Sequence, residues 1–486
     1  MSGWLATILV FLPLAGALFI WLLPVGRFAG SLALLVALAE VGFWINALTR
    51  MDFDRTSATP NFDQHVSWFS DLNVSYHVGF FAFSFWLAGL ATVVMAAAIA
   101  YAFWVGRERP RAYFGLMLFL TSAVMGVFAA QDLLLFYVFF EAMMIPLYVL
   151  IGVWGGPGRM GATVKFVIYT MAGSLLMLAS VIAFGLSKNS FDLVSTGSSD
   201  STWVFLGFAV AFAVKAPLFP LHGWLPDAYR ESSPEVAAVL SGLISKAAVF
   251  GFIRICFAKF PGPFDDFRVV ILALAATGLV YGSLMAFRAP DIRGVIAYSS
   301  LAQMGLITIG IFAENSAAVS GAVLQAVNHG LISATLFLLA GAIERRAATG
   351  MLDRLGGMAR GRPALATMLM ATGIIALAVP GSSAFAGEFL ILAGVFSTSW
   401  GWAVVGATGI VLAAMYMLRL ISAVLHTQPG PAVSDAALDL RPAELGILVP
   451  LVACLLALSA WPAAISARSL EQTPGRGVPV LQELVP

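Results

Sequence analysis

Apolar residues run in long blocks, parted by short polar or basic stretches, along nearly the whole chain of 486 residues. A helix needs about 20 mostly apolar residues to cross the hydrocarbon of a bilayer. On that rule the pattern predicts about fourteen crossings. They fall near 3–23, 29–48, 79–104, 112–129, 131–153, 163–186, 202–221, 235–257, 268–287, 293–313, 317–342, 364–397, 400–424 and 443–463. The blocks are continuous and rich in Ala, Leu and Met, which favours helices over the short alternating strands of an outer-membrane barrel. An all-α polytopic membrane protein is expected, as a single membrane domain over 1–486, because no linker or low-complexity tract sets a soluble domain apart.

Two of these blocks carry helix breakers. The seventh runs Lys215-Ala-Pro-Leu-Phe-Pro-Leu-His222, and the twelfth runs Leu377-Ala-Val-Pro-Gly-Ser-Ser-Ala-Phe-Ala-Gly-Glu388. Proline removes a helix hydrogen bond and glycine loosens the backbone, so helices 7 and 12 are expected to be broken. Such breaks at membrane depth persist only where protein or water satisfies the freed backbone. Each break has a charged residue beside it, Lys215 or Glu388, and the two lie an odd number of spans apart. The second is then the inverted counterpart of the first, as in transporters with paired discontinuous helices.

Loop charge sets the expected orientation. Arg107, Arg109, Arg111, Arg159, Arg230, Arg288, Arg293, Arg345, Arg346, Arg354, Arg360 and Arg362 all fall on one side if the spans alternate. The stretches 52–73 and 187–201, polar and acidic, fall on the other. By the positive-inside rule the Arg-rich side is cytoplasmic, which places both termini on the outer side of the cell's inner membrane.

Composition agrees: 60% of residues are hydrophobic and only 10% charged, against roughly 25% charged in soluble domains. The net charge of +1 leaves no basic excess for nucleic acid. Cys256 and Cys454 lie in separate apolar blocks without CxxC spacing, which excludes a disulfide framework, a cysteine zinc site and an iron–sulfur cluster. The first block is too long, and lacks the basic flank, for a cleaved signal peptide. Gly156-Pro157-Gly158 and Gly356-Gly357 are loop turns and not phosphate cradles.

Against this apolar background, ionisable residues in mid-span carry the chemistry. Glu141, Lys215 and Lys246 each sit within an otherwise apolar block. A charge at the bilayer centre costs at least ~2.5–3.5 kcal/mol on insertion scales, so it marks a functional path by default. An ion pair between Glu141 and Lys215 would hold both charged, and its opening would change their proton affinity. Lys246 has no acid nearby in sequence, which predicts a hydrated cavity around it. His329 stands among Gln325, Asn328, Ser333 and Thr335, a polar stripe fit for a proton relay. Glu388 is placed as the entry or exit group. Lys165 is read as snorkelling, Asp132, Asp227 and Arg230 as interfacial, and Glu40 as lacking a partner. Trp86, Trp104, Trp154 and Trp224 are read as interfacial or lipid-facing.

Four motifs carry a resemblance: FYVFFEAMMIPLYVLIGVWGG (136–156), AVKAPLFPLHGWLPDA (213–228), IAYSSLAQMGLITIGIF (296–312) and VPGSSAFAGEFLIL (379–392). They resemble the antiporter-like membrane subunits of NADH-quinone oxidoreductase (respiratory complex I), those of type M above all, over about 80–463. The resemblance implies fourteen core helices in two inverted five-helix repeats, about 112–257 and 268–424, and proton translocation driven by a separate redox arm. It implies no cofactor or metal in this chain, and as partners the neighbouring antiporter-like subunits. By motif, Glu141, Lys215, Lys246, His329 and Glu388 correspond to the family's ionisable chain. Relatives of types L and N usually carry lysine where Glu388 stands. The chain departs from the family at Gln303, where a histidine is frequent, and in YHVGFFAFSFWLAG, which lacks the usual Gly-Leu-Asp-Gly. RESSPEVAAVLSGLISK drifts toward membrane-bound hydrogenase and multisubunit antiporter relatives.

The function expected is a proton-translocating, non-redox subunit of that oxidoreductase. The alternatives are a subunit of a multisubunit Na+/H+ antiporter or of a membrane-bound hydrogenase, or a structural membrane spacer.

Overall fold

The computed structural model describes residues 3–53, 59–434 and 438–470. Twelve helices among them are long and apolar enough to cross a membrane. These are α1 (Trp4–Leu22), α2 (Gly26–Leu48), α3 (Ala82–Val105), α4 (Pro110–Ala129), α5 (Leu133–Trp154), α6 (Arg159–Lys188), α8 (Pro234–Phe257), α9 (Pro261–Arg288), α10 (Ile292–Ile311), α11 (Ser316–Ala347), α14 (Trp400–His426) and α15 (Pro442–Ala460). Three shorter apolar helices complete the set: α7 (Thr202–Lys215), α12 (Pro363–Ala376) and α13 (Ser383–Thr398). The short ones occur where the breakers stand. The seventh block stops being helical at Lys215, and the twelfth divides into α12 and α13 around Leu377–Ser382. At that second break Gly381 takes φ +96°, a conformation that disfavours any side chain.

The stretch 52–73 differs from the polar loop expected, apart from residues 54–58, which lie outside the described residues. Strands β1 (Asn61–Phe69) and β2 (Val74–Phe80) form an antiparallel hairpin there, and α3 starts at Ala82 because β2 occupies the residues before it. Asn73, at φ +51°, makes the turn, a left-handed conformation that asparagine tolerates. Asp132, expected at an interface, is fully buried and ties the hairpin to α5. Its Oδ1 accepts from the Leu134 and Leu135 N–H groups (2.9 and 3.1 Å), and its Oδ2 from the Ser75 N–H (3.0 Å). Arg254, near the end of α8, donates to Gln131 Oε1 at 3.0 Å and to the Leu193 carbonyl at 3.2 Å.

At the other end four of the loop arginines are paired with carboxylates and not merely solvated. Arg107 meets Glu235 (2.6 Å), Arg230 meets Asp291 (2.9 Å), Arg293 meets Glu344 (2.6 Å) and Arg346 meets Glu444 (2.7 Å). Lys165, read as snorkelling, pairs with Asp227, and both side chains stay exposed. Helices α8 and α11 are buried throughout their apolar windows and form the centre of the molecule. They approach closely at two glycines: a Cβ on Gly330 would lie 2.8 Å from the Gly242 carbonyl. Small residues at such crossings let helix backbones touch without a large apolar driving force.

Candidate functional site

The first broken helix places its lysine at a helix end. Lys215 is the last residue of α7, where the aligned peptide dipoles favour a cation. Its ammonium is buried, finds no hydrogen-bond partner among the described residues, and lies 4.3 Å from the centroid of the Phe140 ring. A ring face attracts a cation through its quadrupole. The ion pair expected between Glu141 and Lys215 is therefore not formed. Glu141 instead accepts from the Ser174 hydroxyl on α6.

The break itself is satisfied by protein. The Ala216 and Leu218 N–H groups reach the Phe212 and Ala213 carbonyls (2.7 and 2.8 Å), and the Trp224 indole donates to the Val214 carbonyl at 3.0 Å. Trp224 is fully buried, contrary to the interfacial role expected of it. Interrupting α7 frees a carbonyl in its last turn, and this indole closes it.

Lys246 finds two acceptors within its own helix: its ammonium donates to the Ser241 carbonyl (2.7 Å) and the Ser245 hydroxyl (3.2 Å). The Ser241 carbonyl lies in a π-helical turn over Leu240–Ile244, and such turns recur at functional positions. Ser241 also shares a hydrogen bond of 2.8 Å with Ser300 on α10. Across the Gly242–Gly330 contact lies α11, which carries His329.

Beyond His329 the second break begins. Glu388, in α13, is buried, and its Oε1 accepts from Gln303 of α10 (3.0 Å) and Gln325 of α11 (3.3 Å). Gln325 also donates to Gln303 Oε1 at 2.9 Å. Gln303, where histidine is frequent in the family, thus joins the tenth helix to Glu388. A cavity of about 20 Å³, lined by His329, Gln303, Gln325, Ser299, Ser333 and Tyr416, lies beside this network. That is room for about one water, in a setting polar enough to hold it. His329 Nε2, Gln325 Oε1 and Glu388 Oε2 are buried and have no protein partner among the described residues. Asn328 anchors the break to α11 by donating to the Ser383 carbonyl at 2.7 Å.

The five ionisable residues singled out in sequence thus lie on α5, α7, α8, α11 and α13. Ser174, Ser241, Ser300 and Tyr416, ordinary residues in apolar helices, became visible only through their partners. Glu235 was also missed. It is fully buried at the start of α8, held by Arg107 at 2.6 Å and by the Tyr113 hydroxyl. An acid one residue after Pro234 reads in sequence as an ordinary helix start. Glu40 of α2 is buried with both carboxyl oxygens unpartnered among the described residues, as its sequence context implied.

Residues 130–413 match the family described as NADH:quinone oxidoreductase/Mrp antiporter, TM. The chain is 32% identical to NADH-quinone oxidoreductase subunit M of Rickettsia typhi, over 94% of this chain and 96% of that one. It is 35% identical to the subunit M of Rhodobacter capsulatus, over 95% and 94%. Among solved structures, a chain of respiratory complex I from Thermus thermophilus superposes with a TM-score of 0.87 at 30% identity, covering 96% of this chain and 97% of that one. A chain of the Mrp complex from Dietzia sp. shares the fold, with a TM-score of 0.84 at 21% identity and 96% coverage of each. By its sequence and its fold, this multi-span membrane protein belongs to the NADH:quinone oxidoreductase/Mrp antiporter transmembrane family.

Proposed function

We propose that the chain is the proton-translocating M-type subunit of an NADH-quinone oxidoreductase, and that Glu141, Lys215, Lys246, His329 and Glu388 form its proton path. The observation that carries this reading is the set of four buried ionisable groups, Lys215, Lys246, His329 and Glu388, with the half-buried Glu141 beside them and two broken helices at Lys215, which ends α7, and Glu388, just inside α13. Buried charge of this kind is expensive in a membrane and is kept where ions move. Identities of 32–35% to proteins named NADH-quinone oxidoreductase subunit M, over nearly the full chain, favour that parent complex over an Mrp-type antiporter.

Protons enter from the Arg-rich, cytoplasmic side and pass the Glu141, Lys215 and Lys246 region. They cross to His329 and leave beside Glu388 through the Gln303–Gln325 network and its small cavity. Lys215 is the switching group: its ammonium rests on Phe140 and, among the described residues, has no hydrogen-bond partner to resist a change of position. The two breaks are counterparts in two inverted repeats, about 112–257 and 268–424. The chain itself holds no redox group. Partner subunits supply the driving force, and both termini face the outer side of the inner membrane.

Lys215→Ala in the assembled complex tests the reading. NADH-driven acidification of membrane vesicles should fall to background while the subunit still assembles. Proton pumping at the wild-type level would overturn it.

A further inference from the structure

The hairpin end of the molecule holds a second constellation, outside the path and the family motifs. His65 and His77 are direct cross-strand partners in the β1–β2 ladder, so their side chains emerge on one face of the hairpin. Their rings stack, 4.4 Å apart and 7° from parallel. Asp192, from the 187–201 stretch, reaches the same point. Its Oδ1 is fixed by the Val194 and Ser195 N–H groups (2.6 and 2.9 Å), which leaves Oδ2 facing both imidazoles. Oδ2 lies 2.8 Å from His77 Nδ1 and 3.8 Å from His65 Nε2. The donor atoms of these three residues all lie within 4.8 Å of one another.

We propose that His65, His77 and Asp192 form a binding site for a divalent transition-metal ion of the zinc class. Two imidazoles and a carboxylate are the donors such an ion prefers, at about 2.0–2.2 Å. Donors around a tetrahedral ion at that radius stand about 3.3 Å apart, so the distances of 2.8 and 3.8 Å bracket the requirement by about half an ångström. His65 is exposed and turns out of the stack on binding, since an ion lies in the plane of each imidazole that ligates it. Behind the site, Asp63 on β1 holds His77 Nε2 at 2.7 Å. A carboxylate on the far nitrogen is the arrangement that orients a metal-bound histidine and strengthens it as a ligand. The ion clamps β1 and β2 to the loop after α6. No spacing motif betrays the site, because the two histidines stand twelve residues apart and meet only through the strand register.

The test is calorimetric titration of the full-length chain, purified in mild detergent without a histidine tag, with Zn²⁺ and separately with Co²⁺. One ion per chain should bind, and bound Co²⁺ should show the visible absorption of a nitrogen-ligated site. His65→Ala removes an exposed ligand while leaving the hydrogen-bond partners of the buried His77, Asp63 and Asp192, in place, and should weaken binding at least tenfold. Asp63→Asn keeps every ligand and should weaken it about 10–100-fold. His426→Ala, an exposed histidine elsewhere, should leave affinity unchanged. No saturable binding, or equal affinity in wild type and His65→Ala, would overturn the proposal.

Discussion

Glu388 offers a separation between structure and transport that can be worked out atom by atom. Its Oε1 is the acceptor for Gln303 Nε2 at 3.0 Å, whereas Gln325 Nε2 has a second acceptor in Gln303 Oε1 at 2.9 Å. Replacing Glu388 with leucine therefore strands one buried donor and not two. Leaving such a donor unsatisfied costs about 1–3 kcal/mol. Replacing it with glutamine keeps an oxygen in place, and the loss is the difference between a charge-assisted and a neutral hydrogen bond, about 1 kcal/mol. Both changes delete the carboxyl proposed to gain and release a proton. Glu388→Gln should thus assemble and melt within a few degrees of wild type, while Glu388→Leu melts lower. In membrane vesicles energised with NADH, both should show proton uptake reduced to background by acridine-dye quenching. Wild-type uptake in Glu388→Gln would refute the role of the carboxyl. Equal melting of the two variants would refute the account of the Gln303–Gln325 network.

Trp224→Phe keeps the ring but removes the N–H that satisfies the Val214 carbonyl, and should lower stability by about 1–3 kcal/mol, read from thermal unfolding in detergent. Gly330→Ala drives a Cβ to 2.5 Å from the Leu90 side chain and 2.8 Å from the Gly242 carbonyl. It should cost about 1–3 kcal/mol and reduce transport by parting α8 from α11; an unchanged melting point would show that the crossing is looser than drawn. Lys259, just past α8, has its ammonium brought down from 10.5 to about 7, first by burial and then by the Arg254 and Lys188 charges, against an opposing pull from Asp192. Once unfolded, the group binds its proton up to the higher value, so between these two values the unfolded chain holds more protons and stability rises with pH. The penalty is fully present below about pH 7. Lys259→Met should flatten that rise when melting at pH 7 and pH 9.5 is compared, and an unaltered slope would contradict it.

Most of the frame was legible in one dimension because a bilayer imposes length and polarity locally. Twenty apolar residues read as a span wherever they pack, and proline at membrane depth reads as a break whatever its neighbours. For the same reason Lys215, Lys246, Glu141, His329 and Glu388 stood out at once: a charge in an apolar block is conspicuous without any knowledge of contacts. Partners, by contrast, are chosen in three dimensions. Glu141 took Ser174 rather than Lys215, and Lys215 took the face of Phe140. Lys246 took a carbonyl of its own helix, and Trp224 left the interface to close the end of α7. The hairpin escaped notice because its strands are short and polar beside the long apolar blocks, and His65 and His77 meet only through its register. Sequence by itself determined the membrane class, the positions of the spans and breaks, and the identity of the buried ionisable groups, since each follows from the transfer cost of single segments. Only the tertiary structure decided which groups touch, because hydrogen-bond and cation–ring geometry act over a few ångströms between helices that lie far apart in the chain.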